Sequence, residues 1–453
     1  MEKQKVLAVK AAVLAVAAAF GAPLHVIAAD GDTAVQVYGH LDLSVDDATK
    51  GIKQGGAGQN PAPVGKVGWQ ADVSSNLSYF GVRGSHDIGG GNRMVFQMET
   101  QVDVAATPGP SPQNQASPGN ADDKVLAALG SRNSFLGIAG NFGAFKVGKT
   151  DAPYKLSTAR MDPFSASVGD YNSIMGNTGG DNRAEFDTRL SHAIWYESNK
   201  MGGFSYSALF APGQNRSSDN SFNASGEPNC TGGGGVGAGS TCNDGSFGDA
   251  YSVAGVYEAG PLYGIAAYEL HRQTNRASDD PVAVGIADER AMKVGVQYLV
   301  SPKTTINVIL ERMTRNAPNA NFNERQRNGS WLALTQKITG QDELNVGWAH
   351  AGKSPGQPGG GAPGQVIANP GSVDNASNMY TVGYKHHFDK QSNWYVVYAR
   401  QANHAGGHYD LGASGHGITT DCKDASGVIG VSGSNCFTGE TLEAVSVGWM
   451  YSF

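Results

Sequence analysis

Past residue 29 the sequence contains no apolar run near the ~18 residues that a membrane-spanning helix needs. Charge is also sparse: Asp, Glu, Lys and Arg make up 16% of the 453 residues, and the formal net charge of −7 excludes the basic footprint of a nucleic-acid binder. Cysteine is limited to four residues, none in a CxxC pair, so neither a dithiol redox motif nor a zinc ribbon is present. HExxH and GxSxG are both missing. His386 and His387 are adjacent and would face opposite sides of a strand, and His404 and His408 flank Gly406-Gly407. No metal, cofactor or enzymatic chemistry is therefore expected.

What the chain has in quantity is glycine, 63 residues, distributed among segments that alternate apolar and polar. Its start differs from the rest. Lys3, Lys5 and Lys10 precede AAVLAVAAAFGAPL, and Val26-Ile27-Ala28 or Ile27-Ala28-Ala29 offers a small-residue cleavage site. Residues 1–29 thus read as a cleaved export signal, leaving a mature chain from residue 30 that is more acidic still. In an exported protein, Cys230–Cys242 in CTGGGGVGAGSTC and Cys422–Cys436 in CKDASGVIGVSGSNC are candidates for two loop-closing disulfides, with free thiols as the alternative.

Segments of about ten residues are separated by connections of two kinds. Tight turn clusters occur at 86–92, 140–144, 199–203, 258–261, 301–304, 339–342 and 389–392. Long Gly/Pro/Asn/Ser-rich stretches occur at 47–73, 105–130, 151–186, 214–247, 274–288, 316–328, 352–376 and 403–441. Short and long take turns strictly, so seven turns and eight loops predict sixteen strands. An even strand number with turn lengths sorted by end is the pattern of an antiparallel transmembrane β-barrel, with short periplasmic turns and long extracellular loops. A soluble sandwich would alternate too, but its turns would not sort by length.

The last strand, EAVSVGWMYSF, shows the alternation most clearly. Val445, Val447, Trp449, Tyr451 and Phe453 share one face; Ala444, Ser446, Gly448, Met450 and Ser452 share the other. The bulky face is expected to meet lipid, with Trp449, Tyr451 and Phe453 in an interfacial aromatic girdle. The strand is expected to pair back onto VQVYGHLDLSV near the start and close the cylinder. Its other face would point into a polar lumen, wide enough in a sixteen-strand barrel to be an aqueous channel.

Several stretches resemble the trimeric general-diffusion porins of Gram-negative outer membranes, of the type common in β-proteobacteria: VQVYGHLDLSV, LSYFGVRGSHDIGGGNRMVFQMET, RNSFLGIAGNFGAFKVGK, MYTVGYKHHFDKQSNWYVVYARQ and the terminal Phe453. The resemblance implies an outer-membrane homotrimer surrounded by lipid and lipopolysaccharide, passing small hydrophilic solutes and ions. It also implies that the third long loop, residues 151–186, folds into the barrel as a constriction. RMDPFSASVGDYNSIMG matches that loop, so Asp162 and Asp170 are carried over as its acidic lining. Arg160 departs from a purely acidic surface. Arg83 and Lys385 match the family's basic wall positions, and Lys146 and Lys293 have inward parity. The acidity of the mature chain gives a slight lean toward cations.

GAFKVGKT (143–150) satisfies the Walker A pattern, yet Phe145 and Val147 alternate as in a strand and Pro153 follows where a helix should run. It is read as a chance match. Two rival functions stand beside the passive channel: a substrate-specific channel on the same barrel, and a surface adhesion protein working through loops 214–247 and 403–441.

Overall fold

A strand that crosses hydrocarbon must find a partner for each backbone N–H and C=O, and only a closed sheet gives every strand two neighbours. The computed structural model describes residues 32–50, 68–102, 104–105, 130–176, 186–187, 189–212, 249–274, 287–315, 326–354, 374–405, 407, 409, 411, 439 and 441–453. The expected export signal, both cysteine pairs and most of loops 214–247 and 403–441 lie outside the described residues.

The strands are β1 (Thr33–Lys50), β2 (Gly68–Ser75), β3 (Tyr79–Gly89), β4 (Asn92–Gln101), β5 (Ser134–Gly140), β6 (Gly143–Asp151), β7 (Arg189–Glu197), β8 (Phe204–Ala211) and β9 (Asp249–Ala259). They continue as β10 (Leu262–Thr274), β11 (Ala287–Ser301), β12 (Thr304–Arg315), β13 (Arg327–Lys337), β14 (Asp342–Ala351), β15 (Ser377–His387), β16 (Ser392–Asn403) and β17 (Thr441–Ser452). Apart from β2 and β3, which both pair with β1, each pairs antiparallel with its sequence neighbour, and β17 pairs with β1 to close the ring. β2 and β3 both pair with β1 and are two pieces of one wall strand, so the barrel has the sixteen strands expected. No described helix is long and apolar enough to cross a membrane.

The break between β2 and β3 is filled by polar side chains. Asn76 Nδ2 reaches Asp42 Oδ1 at 3.1 Å, Ser44 Oγ at 3.0 Å and the Tyr395 hydroxyl at 2.9 Å. The Asp42 N–H donates to Ser78 Oγ at 3.0 Å, replacing a lost ladder bond. The first tight turn uses Gly89, Gly90 and Gly91 at φ +85°, +64° and +77°, a left-handed path that β-carbons disfavour. The Walker A match is a strand: residues 143–151 form β6, with Phe145 and Val147 exposed on the outer face.

Strand registers carry one face unbroken around the ring. Gln36 stands opposite Arg83, Arg83 opposite Gln97, and Lys146 opposite Trp195. Lys293 stands opposite Glu311, Glu343 opposite Lys385, and Lys385 opposite Tyr395. This is the inner face. The outer face carries Leu136, Val147, Ile194, Val294, Leu310, Leu332 and Val346, all exposed, as a lipid-facing band requires. Trp449 is 55% exposed on that face, directly opposite Trp394; Tyr451 is exposed and stacks on Phe453 with ring centroids 5.9 Å apart.

The main hydrophobic core lies inside the barrel. Met161, Phe164, Val168, Tyr171, Ile174 and Met175 of the third loop pack against Ile265, Ile309, Trp331, Met379, Tyr395 and Val397 of the wall. The expectation of a polar lumen therefore holds for only part of the inner face. Around the middle of β10–β17 the loop covers that face; toward the periplasmic rim it still carries the half-exposed Gln297, Glu343 and Lys385.

Candidate functional site: the lumen and its inner loop

The third loop enters the barrel from the end of β6. Pro153 opens a one-turn helix α1 (Pro153–Thr158), a first-turn position where its missing N–H costs nothing. A 3₁₀ turn (Ala159–Met161) follows, and a second one spans Tyr171–Ser173.

The wall is cut small to receive this loop. A β-carbon on Gly347 would come within 2.3 Å of the Trp331 ring and 2.9 Å of Phe164, and one on Gly383 within 3.0 Å of Phe164. Ala333, Ala349, Ala399 and Ala444 are also buried beneath it. Polar contacts fix the register: Trp331 Nε1 donates to the Met161 carbonyl at 3.1 Å, and the Tyr263 hydroxyl to the Ser157 carbonyl at 2.8 Å. Glu311 receives the Tyr154 hydroxyl at 2.9 Å and the Gly176 N–H at 3.1 Å.

Asp162 and Asp170, the expected acidic lining, are buried within the loop, and their oxygens face its own backbone. Asp162 accepts from the N–H groups of Phe164 at 2.9 Å and Tyr171 at 3.0 Å; Asp170 accepts from Ala166 at 2.7 Å and Asn172 at 2.8 Å. Burial, and then the neighbouring Asp170 charge, push the Asp162 carboxyl well above the usual carboxylate range. Burial raises Asp170 as well. The two shape the loop and present no free carboxylate to water. Asp187 is likewise buried and pushed up to about 6 by desolvation, against the pull of Lys293.

The basic wall residues divide into two groups. Lys293 is buried under the loop, where it ion-pairs with Asp187, donates to Thr158 Oγ1 at 2.7 Å and sits 4.0 Å from the Tyr154 ring centroid. It anchors the loop. Arg83 is exposed to the open side of the lumen, its Nε bound to Gln36 Oε1 at 2.9 Å and its guanidinium 4.7 Å from the Tyr38 ring. Lys146, half-buried, bridges to Glu197 at 2.7 Å. Lys385 is half-buried on the inner face near the periplasmic rim. Arg160 points from the loop toward that same rim, pairing with Glu258 at 2.8 Å, while Lys200 takes the other Glu258 oxygen at 2.9 Å.

A space of about 510 Å³ on the β1–β7 side is lined by Arg83, Arg93, Lys146, Gln36, Gln97 and Glu197 among others. Among the described residues neither Arg83 nor Arg93 forms an ion pair, whereas Glu197 and Glu258 are both paired. Parity alone could reveal Arg93 as inward. Burial of the loop carboxylates could not be read that way, because it depends on how the loop docks. Among the described residues no cluster of His, Cys, Asp or Glu could hold a metal ion.

The sequence model of the family described as Gram-negative porin matches residues 8–406. The chain belongs to that family. Relatives of this porin include the major outer membrane protein P.IA of Neisseria meningitidis serogroup A, 28% identical over 178 residues. That alignment spans 39% of each protein's length. The major outer membrane protein P.IB of Neisseria gonorrhoeae is 27% identical over 158 residues, 34% of this chain and 38% of that protein. Among solved structures, an anion-selective porin from Comamonas acidovorans superposes with a TM-score of 0.63 at 18% identity, covering 93% of this chain and all of that one. The Salmonella typhi OmpF complex with daunomycin gives 0.56 at 15% identity, covering 94% and 100%. These likenesses establish the fold. This porin is a β-barrel of the Gram-negative outer membrane.

Proposed function

We propose that this porin is a passive, water-filled channel for small hydrophilic solutes and ions, exported by a cleaved segment ending near residue 29 and assembled as a homotrimer. It performs no catalysis. The observation that carries the reading is the division of the lumen: one half covered around its middle by the inner loop, and a polar half lined by Arg83, Arg93 and Lys146. Apolar solutes are held back in such a passage because they lose hydration without replacement, while small polar ones keep theirs.

The slight lean toward cations is reversed here. The carboxylates expected to line the constriction are buried, and the charges left in the open part of the lumen are predominantly guanidinium and ammonium. Low-dielectric walls focus that field along the passage and favour anions. The Comamonas acidovorans porin that shares this fold is anion-selective, in the same direction. Planar-bilayer recording under a salt gradient tests the proposal: steps in triplets support the trimer, and the sign of the reversal potential gives the selectivity. Conductance that saturates with one solute would favour a substrate-specific channel instead.

A further inference from the structure

On the open side of the lumen the inner face carries a group of small apolar residues that its water-facing position does not explain. Strand register sets three lateral rows across β3–β7, descending toward the periplasmic turns. The upper row is Arg83, Gln97 and Phe135. The middle row is Ser85, Val95, Gly137 and Lys146, and the lower row is Arg93, Ala139, Ala144 and Glu197. Val95, Gly137, Ala139 and Ala144 thus form an uncharged floor with Arg83, Arg93 and Lys146 around it and Phe135 at its upper edge. A β-carbon on Gly137 would stand 2.7 Å from Lys146 Cγ, so the lysine stem crosses the floor. Val95, Ala139 and Ala144 border the open space of about 510 Å³.

The Arg83 side of this floor is built flat. Tyr38 lies across Gly81, where a β-carbon would stand 2.6 Å from its ring. The Arg83 guanidinium sits 4.7 Å from the centre of that ring, and its Nε donates to Gln36 at 2.9 Å. Tyr38 is buried and Arg83 exposed, so one face of the guanidinium plane rests on the tyrosine and the other fronts water. Lys146 is likewise 4.7 Å from the Phe135 ring centre. Its ammonium and the Trp195 indole N–H occupy both Glu197 oxygens, at 2.7 and 2.8 Å. Asp87 stands opposite Arg93 and accepts the Gly89 N–H at 2.7 Å. Three cations against these two carboxylates leave the surround net positive.

We propose that this floor is a transit subsite for small aromatic carboxylates. The solute ring packs on the apolar floor and on the open face of the Arg83 guanidinium, a planar cation that stacks on π-systems. Its carboxylate accepts from the Arg93 fork. Arg93 and Gln97 are four residues apart along β4, so the two arginine rows are separated by about 13 Å. Two long side chains and one benzoate-sized solute bridge that span. An inorganic anion gains nothing from the floor, and an aliphatic acid offers no π-face to the guanidinium. This inference rests on the anion-favouring lumen proposed above and names a solute class for it. Binding is weak, on the order of millimolar, so that the solute leaves again and the passage stays passive.

Benzoate, cyclohexanecarboxylate and acetate are added at pH 7 to the full mature channel in a planar bilayer while its single-channel chloride current is recorded. Benzoate should reduce that current saturably, with half block on the order of millimolar. Cyclohexanecarboxylate has the same charge and similar size without the π-face, and should need at least roughly threefold more; acetate should need more still. R83K keeps the charge and loses the plane, so it should bring benzoate and cyclohexanecarboxylate to the same half-blocking concentration. V95T is nearly isosteric, puts a hydroxyl into the floor, and should weaken the benzoate block roughly threefold. Equal block by the two ring acids in the wild type overturns the subsite. So does a benzoate preference that survives R83K, or a current that benzoate does not block. The reversal potential in a KCl gradient, taken in the same bilayer, separates the two readings. Chloride preference without benzoate preference removes the subsite alone, whereas potassium preference removes the anion-favouring lumen beneath it.

Discussion

Gly39 and Phe453 exchange both backbone hydrogen bonds, each 3.0 Å long, and the Phe453 ring covers the glycine so closely that a β-carbon there would stand 2.4 Å from it. This contact closes the seam between β17 and β1. Gly39→Val should therefore push the ring off its seat and cost about 1–3 kcal/mol, the usual penalty of overpacking. Urea unfolding of the protein in vesicles should show a lower midpoint, and deletion of Phe453 should lower it as well.

The lumen charges give a selectivity prediction with a built-in contrast. Two unit charges 5 Å apart in water interact by on the order of 1 kcal/mol, so neutralising Arg83 or Lys146 as Gln should lower the anion-to-cation permeability ratio roughly threefold. Asp162→Asn should leave the reversal potential nearly unchanged, because that carboxyl faces loop backbone. A shift toward anions as large as the Arg83→Gln shift toward cations would place Asp162 in the water-filled passage after all.

The same carboxyl predicts a pH dependence. Its folded pKa lies above the ordinary carboxylate value, so the folded loop binds a proton that the unfolded chain releases. Stability from this group is fully present below pH ~4 and is lost as pH rises through the raised value. Asp162→Asn keeps a neutral side chain at every pH, so it should flatten this dependence of the thermal midpoint above pH ~4, while its Nδ2, a donor, loses one of the two backbone N–H bonds that Asp162 accepts.

Docking of the loop depends on Trp331, which is fully buried against Phe164 and Tyr171. Trp331→Ala should cost about 3–5 kcal/mol and loosen the loop. Single-channel conductance should rise or become noisy, while strand content measured by circular dichroism stays the same. Unaltered, quiet conductance would mean that the loop does not govern the bore.

Much of the barrel was legible in the residues because its two faces meet different solvents. The alternation in VQVYGHLDLSV and EAVSVGWMYSF, with the strict exchange of short and long connections, is enough to give strand number and closure. The site was less legible, since parity says which way a side chain points but not what covers it. Lys146 and Lys293 share inward parity, yet one borders open space and the other lies under the loop. A signal was present even so. Gly347, Gly383, Ala349, Ala399 and Ala444 are inward positions that carry neither charge nor bulk, which is unusual for a wall facing water. Such a run of small residues marks a surface that another part of the chain fills.

Along β10–β17 the sheet carries apolar side chains toward lipid outside and, around Ile265, Ile309, Trp331, Met379 and Val397, toward the plug inside, with charges such as Glu269, Lys293 and Glu311 among the latter. Before the plug is seated, a curling intermediate presents apolar patches on both surfaces to the aqueous periplasm, the inner one together with charges such as Lys293 and Glu311 that the plug later engages. Sealing of the cylinder and seating of the plug thus belong to a single cooperative step of biogenesis. An escort that shields nonpolar strands in transit has to cover the concave surface as well as the convex one.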